Sequence, residues 1–489
     1  MPAPIPTNAS TLKPFASNNA RRRSPLLSST AAATSRTRSN STPPLYQKIL
    51  YPANGSPPSP PRILHSSSHA TLDPLILDLI ALSLRAFVTP WYNGGISRDP
   101  DKDFLQAVTA VLIHVIQALE VRLATVDWTE LLLRDLPTVL ENHYRDWDSA
   151  NEKAGGSSAH NLSTEEMFHH LQPHIAISLS GSPPTPQVDP VYLRTLVDHL
   201  LKLLLPPEDY RAETERAIVR EVLVGVVFGS VFGKVAQPWF LHGVIARVLE
   251  GREAEKTAVK KGSSSSSPTE SISTLPPSIL DQVLSTIGQV PSVVSSALTA
   301  VTKLLVAANS TVLPSHHSTS EEPFYQNLFS LALAVLPSSS TLSQLVHFTS
   351  IPLSCLSGTL DALLHQTVTK SLTTEQTMKT VLEGIIRGMF PNDGWPAPKE
   401  PDPDERGREE LKRRCEEAVA RLLPNKPSSF FYPSDESTAL STTHETPSFL
   451  LAQHLLRPLS SHVANVHLFV LVVDLFVGRL FPELVVGEE

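Results

Sequence analysis

Two cysteines, Cys355 and Cys415, are all that the chain of 489 residues contains. That is too few for a disulfide framework or a cysteine-rich zinc site, and it fits a reducing compartment such as the cytosol. Aromatic residues are also scarce, at 6%, which is low for a chain built from β-sandwiches. Charged residues make up only 18%, so Ser, Thr and Pro must solvate part of the surface. Acidic residues are absent from 1–70, where eight Lys and Arg, including Arg21, Arg22 and Arg23, stand unopposed. The rest of the chain is therefore near −16 within a net charge of −8. An acidic body excludes broad nucleic-acid binding, which needs a basic face. Long uninterrupted apolar runs are missing too. Val222 to Phe232 is short and meets Lys234, and His467 to Leu480 contains Asp474 and Arg479. A membrane span needs about 20 mostly apolar residues, so both stretches read as core helices and the chain as soluble or peripheral. Pro and Ser interrupt any secretory segment after Met1.

What is present is helical. Residues 1–70, rich in Pro, Ser and Thr, read as a disordered basic tail. Its Ser-Pro dipeptides, such as Ser24-Pro25, carry little information in such a composition. From Asp73 onward, apolar residues recur at helical spacing. A first helix contains Leu75, Leu79, Leu82 and Phe87. A long helix follows over about 101–124, with Phe104, Val108, Val111, Leu112, Val115 and Leu119 as its stripe. Asp127 is placed to cap the next helix, and Glu165 and Glu166 favour a helix start at Thr164. Val191 to Leu205 and 212–232 continue the pattern, and no stretch shows sustained strand alternation. After a Ser-rich linker, further helices are predicted over 322–335, 341–369, 374–390, 404–422 and 448–485. The fold class is all-α, divided into a tail (1–70), a helical domain (71–250), a linker (251–274) and a helical C-terminal region (275–489).

These helices carry an ordered series of residues. Trp91-Tyr92 follows the first helix and Phe104 opens the second. Arg122 precedes Val126-Asp127, and Leu131-Leu132-Leu133 leads to Asp135-Leu136 and His143. Phe168-His169 and His174 come next, then Tyr192-Leu193-Arg194. Leu203 to Pro206, Arg220-Glu221-Val222-Leu223 and Pro238-Trp239 complete the series. The series resembles the PXA (PX-associated) domain of the sorting-nexin relatives over a little over a third of the chain. Leu480-Phe481-Pro482-Glu483-Leu484 is similar to the end of a nexin C-terminal domain, and the Gly394-Trp395-Pro396 region resembles fungal PXA proteins without a PX domain. No RGS domain, PX pocket or membrane hairpin is read in the sequence.

The resemblance implies peripheral attachment to endosomal, vacuolar or endoplasmic-reticulum membranes, on their cytoplasmic side. The expected partners are membrane lipids, phosphoinositides among them, and trafficking proteins, with no nucleic acid. Two other readings keep the fold. One is a lipid-transfer module with an apolar tunnel between the two helical regions; the other is a protein-binding scaffold. Phe87, Trp91, Leu204 and Val222 are expected to hold the domain together.

No enzyme motif is present: no Walker loop, G-x-S-x-G, H-E-x-x-H or kinase set. The expectation is a protein without catalytic residues, cofactor or metal. His170 and His174 have i, i+4 spacing, but no third ligand stands at a motif distance, and Pro173 lies between them. His169 and His174 are instead expected to make structural hydrogen bonds. Asp127 and Asp135 are too far apart along a helix for paired acid–base work. Gly225, Gly229 and Gly233 form a small-xxx-small ladder suited to close helix packing. The residues singled out for lipid contact are Ile279, Val283, Ile287, Val294, Leu298 and Leu305. They form an apolar face opposite a charge-poor Ser/Thr face, a pattern found in helices that lie on membranes.

Overall fold

The computed structural model describes residues 44–51, 62–66, 71–96, 102–154, 162–262, 323–337, 357–392, 394–396, 401–423 and 446–485, all within the unit Pro44–Glu489. Ile279, Val283, Ile287, Val294, Leu298 and Leu305 lie outside the described residues, as does most of 1–70.

The described part of the first 250 residues opens with a helix the sequence reading did not anticipate. Helix α1 (Leu45–Leu50) falls inside the stretch read as tail. Tyr46 and Leu50 are buried with Ile63 against Leu77, Ile80 and Leu84. The tail boundary at 70 is therefore corrected: 44–51 and 62–66 supply core. The reason is local, since Leu45, Tyr46, Ile49 and Leu50 are an apolar cluster in an otherwise polar segment. Helix α2 (Asp73–Ser83) continues through π-helical turns to Ile96. The long helix α3 (Asp103–Thr125) matches its predicted bounds. Phe104, Val108 and Leu112 pack on the α1–α2 cluster, while only Leu105 and Thr109 of α3 are buried.

Side-chain caps set the helix starts. Asp127 accepts from the backbone N–H groups of Thr129 (3.0 Å) and Glu130 (3.1 Å), opening the turn that leads through 131–135 into α4 (Leu136–Ala154). Ser163 and Glu166 form a reciprocal capping box on α5 (Thr164–Leu171), at 3.2 and 2.8 Å. A hairpin follows, with β1 (Ile177–Ser180) antiparallel to β2 (Thr185–Val188) and Ile177 opposite Val188. This small sheet is an addition to the all-α expectation. Asp189 then caps α6 (Pro190–Leu204), and α7 (Glu213–Val222) runs on through π-helical turns at 223–228 and 231–235. Helix α8 (Pro238–Gly262) extends into the stretch read as linker.

The C-terminal half supplies α9 (Phe324–Val335), α10 (Ser357–Thr373), α11 (Glu375–Met389), α12 (Glu405–Leu422), α13 (Pro447–Leu455) and α14 (His462–Leu480). Helix α12 lies along α8: Cys415 is buried there with Ala246, and Arg414 pairs with Glu250 at 2.8 Å. Burial pushes the Cys415 thiol up to about 12, which removes it as a nucleophile. Gly394 has φ +80 and sits against Arg85 and Leu82, where any Cβ would collide with both. The Arg85 guanidinium lies over the Trp395 ring at 4.5 Å, fastening this loop to α2.

Helix α14 is the centre of the arrangement. Val466 and Val470 enter the core made by Leu193, Val197, Leu201 and Phe232. Val463 and Ala464 enter the core made by Trp147, Ala150 and Phe168. Phe168 is fully buried, with the His143, Trp147 and His467 rings set edge-on around it. Two clusters of the first 250 residues thus depend on residues more than 200 positions later.

A chain ending at residue 445 is expected to show no cooperative urea transition by circular dichroism, because both clusters lose their α14 members. In the full chain, Phe168→Ala is expected to cost about 3–5 kcal/mol; a loss under about 1 kcal/mol in the same assay would contradict the placement of that ring.

Candidate functional site

Helix α14 carries polar groups that are costly to bury unless paired; most find partners across the fold, while Asn465 Oδ1 and His467 Nδ1 are buried without one. His174 Nδ1 accepts from the Ala176 N–H at 3.1 Å, so the ring proton sits on Nε2 and is donated to Asp474 at 2.9 Å. Tyr192 donates its hydroxyl to the other Asp474 oxygen. Burial and that carboxylate hold the Tyr192 phenol well above its ordinary value. His169 Nδ1 meets His467 Nε2 at 3.1 Å. Asn465 donates to the carbonyls of Ala236 and Leu459, each at 3.0 Å. At the far end, Arg479 pairs with Asp135 and, at 3.5 Å, with Glu130. Arg122 pairs with Glu483 at 2.7 Å and lies over the Phe481 ring at 4.5 Å.

The structural hydrogen bonds expected of His169 and His174 are present, though their partners are on α14. The i, i+4 reading of His170 and His174 is corrected: α5 ends at Leu171, so His174 lies beyond the helix and faces Asp474. No group of three metal-ligating side chains occurs among the described residues. Asp127 is a cap and Asp135 an ion-pair partner, so the two share no site.

The buried rings are held neutral. Burial lowers His143 to about 4 and His467 to about 3, and the neighbouring His169 and His143 rings add to the effect on His467. Gln172 beside His143 favours the charged ring, but the contact falls short of hydrogen-bond geometry and burial prevails. These groups form a buried, neutral, edge-packed network, which suits registration of α14 and offers no open reacting position.

By length and composition alone, three helical runs could cross a membrane: Asp73–Gly95, Asp103–Thr125 and His462–Leu480. This revises the reading that no stretch is long enough. For His462–Leu480, the buried Asn465 and His467 and the paired Asp474 and Arg479 make it a core helix of this fold.

The surface holds a different feature. Along α7 and the π-helical turn that follows it, Ile218 is 59% exposed, Val222 51% and Val226 62%, with Val219 and Val227 also exposed. Ile218 and Val222 are four apart and share one side of α7, and Val226 and Val227 continue the exposed apolar surface into the π-helical turn. A Cβ added at Gly225 or Gly233 would meet nothing. The glycine ladder is therefore open among the described residues, and the close-packing reading of it is corrected. Val222, expected to hold the core, belongs to this row. Phe87 is likewise 56% exposed, with its ring 6.3 Å from that of Phe390. Leu204 is half-buried. No residue of α7 is buried, so the apolar residues that periodicity assigns to a core face stand wholly or partly at the surface there.

A predominantly helical domain closed by a distant C-terminal helix, with an apolar row on its outer face, is what the geometry defines. Residues 69–248 match the family model of the PXA domain, and the chain carries that domain over those residues. It is similar to PXA domain protein 1 of Schizosaccharomyces pombe, 30% identical over 162 residues, covering 33% of this chain and 31% of that protein. It is also similar to sorting nexin-25 of Mus musculus, 23% identical over 182 residues, 37% of this chain and 20% of that one. Sorting nexin-19 of Mus musculus is 26% identical over 174 residues, 35% and 16% respectively. The chain thus matches about a third or less of the length of these relatives. No solved structure matches it.

Asp474→Ala is expected to cost about 1–3 kcal/mol, since it leaves His174 and Tyr192 without their shared acceptor; urea titration of the variant checks this. His143→Leu is expected to flatten the acid side of the stability profile. The folded ring titrates far below its unfolded value, so the unfolded state takes up the proton first and wild-type stability falls as pH drops below about 6.5. From pH 7 to pH 5 the wild type should lose about 1–2 kcal/mol relative to His143→Leu. Parallel curves for the two proteins would contradict the buried neutral assignment.

Proposed function

We propose that the protein is a non-enzymatic peripheral membrane protein of endomembrane trafficking, docking on the cytoplasmic face through the apolar row of α7. The observation that carries this is the exposure of Ile218, Val222 and Val226 along α7 and the π-helical turn that follows it. A contiguous apolar patch of this kind on a folded domain marks an interaction or membrane site. Two valines half inserted into lipid contribute about 1.4 kcal/mol, or about tenfold in affinity. Support for the trafficking context comes from the PXA match and from relatives named sorting nexins. Endosomal or vacuolar membranes, phosphoinositide recognition and recruitment of trafficking proteins are part of the proposal.

The lipid-transfer reading needs an apolar cavity between the helical regions. The groove that α5, α8, α12 and the start of α14 enclose has a mixed lining, with Glu165, Glu166, Arg408, Glu409 and Lys412 beside Pro184, Trp239 and Val463, and is not the apolar tunnel that reading needs. A protein-binding scaffold would use the same valine row, and the assay below separates the two.

Flotation of the full chain with phosphatidylcholine–phosphatidylserine vesicles is expected to recover the wild type and to recover Val222→Glu/Val226→Glu about tenfold less well. Both valines are exposed, so the variant should keep its urea midpoint. Failure of the wild type to float, or equal flotation of both proteins, would reject docking through this row and favour the scaffold.

A further inference from the structure

Helix α11 packs against α2 and α10, yet none of its residues is fully buried. Val381 is 55% exposed, Ile385 40% and Met389 45%. They follow one another at four-residue steps on a regular α-helix, so they form a row on one side. Gly384 and Gly388 stand beside that row, and a Cβ added at either would meet nothing. The charged residues of the same stretch are Lys379, Glu383 and Arg387, each two positions before a member of the row. At about 100° per residue, two positions turn a side chain to the far side of the helix. Lys379 and Glu383 also pair with each other there at 3.9 Å. Past the end of α11, the exposed Phe87 ring lies 6.3 Å from Phe390, and the exposed Trp395 ring carries the Arg85 guanidinium.

An uncharged row offers no electrostatic selection for a basic or an acidic partner. It does meet an identical row without like-charge repulsion. A two-fold contact requires one patch to be complementary to itself, and α11 meets that requirement. In an antiparallel pair centred between Gly384 and Ile385, Val381 of one copy lies over Gly388 of the other, and Ile385 over Gly384. Each large side chain then meets bare backbone, which lets the two helices approach closely. The apolar side chains on and beside α11 expose on the order of 400 Å². Two such surfaces bury roughly 800–1,000 Å², the size of a weak, reversible contact rather than an obligate one.

We propose that α11 is a self-association surface: two copies of the chain pair antiparallel and reversibly through Val381, Ile385 and Met389, at micromolar concentration. The contact uses none of the residues of α7, so it does not depend on membrane docking through the valine row.

The test is sedimentation velocity of the full chain, without vesicles, between about 1 and 100 μM. The mass is expected to rise with concentration from 53.3 kDa toward twice that value. Val381→Glu/Ile385→Glu is expected to weaken association at least about tenfold. Both side chains are exposed, so this variant should keep its urea midpoint. Gly384→Leu/Gly388→Leu fills the gaps without adding charge and should weaken association as much; leucine favours the helix over glycine, so its folding is not at risk. The register is checked by oxidation in a Cys355→Ser background. Val381→Cys/Gly388→Cys should give disulfide-linked dimers, whereas Val381→Cys alone should not, because the two copies of that position stand too far apart in the antiparallel pair. A mass of 53.3 kDa throughout, or a dimer that both double variants leave intact, overturns the proposal. So does a chain that stays monomeric while Val381→Glu/Ile385→Glu abolishes its flotation on vesicles, since lipid would then be the occupant of this row.

Discussion

The fold depends on one carboxylate. Asp474 sits in the middle of an apolar helix, and its two oxygens are met by His174 and Tyr192, nearly 300 residues earlier. A charge in such a helix is costly unless paired and hydrogen-bonded. Elsewhere α14 could sink into any apolar environment; here, Asp474 specifies the position. His467 against His169 and Asn465 against the Ala236 carbonyl add two more registration points along the same helix. Arg479 and Arg122 close the end with ion pairs to Asp135 and Glu483. Valines pack with little directional preference, so the hydrophobic burial of Val463, Val466 and Val470 supplies the driving force and the polar groups supply the address.

This arrangement changes what the domain is. The residues that match the PXA family end at 248, yet two of their buried clusters are completed by α14. A boundary drawn from sequence similarity therefore cuts through a core. It also means that the division into a 71–250 domain and a 275–489 region describes chain order better than packing. Bringing α14 back to α5 and α6 closes a very long loop, but the entropic cost of closure grows only slowly with length, and two apolar clusters outweigh it.

Much of the helical order was legible in residues. The long helix over 101–124, the Asp127 cap, the start at Thr164 and the charged helix near 404–422 all follow from local chemistry: apolar spacing, short polar side chains, and acids in the first turn. The Ser163–Glu166 box has a recognisable spacing that could have been read and was not. The hairpin was hidden because β2 contains Pro186 and the turn is rich in Ser and Pro, so it read as loop; its strands are only four residues each. Helix α1 was hidden by the composition around it. The partners of His169 and His174 could not be read at all, since nothing local links position 174 to position 474. The six residues from Ile279 to Leu305 stay as a pattern in the sequence, outside the described residues.

The valine row shows where periodicity misleads about function. Val222 coincides with a position of the family series and is expected in the core of a helix over 212–232. Within the π-helical turns at 223–228 and 231–235, Val224 and Phe232 are buried while Val226 and Val227 are exposed. Local departures from α-helix geometry cost hydrogen-bond quality and are found often at functional sites. Here they hold Val226 and Val227 at the surface, continuing the apolar side chains of α7, beside Gly225, where no side chain stands in the way of whatever approaches.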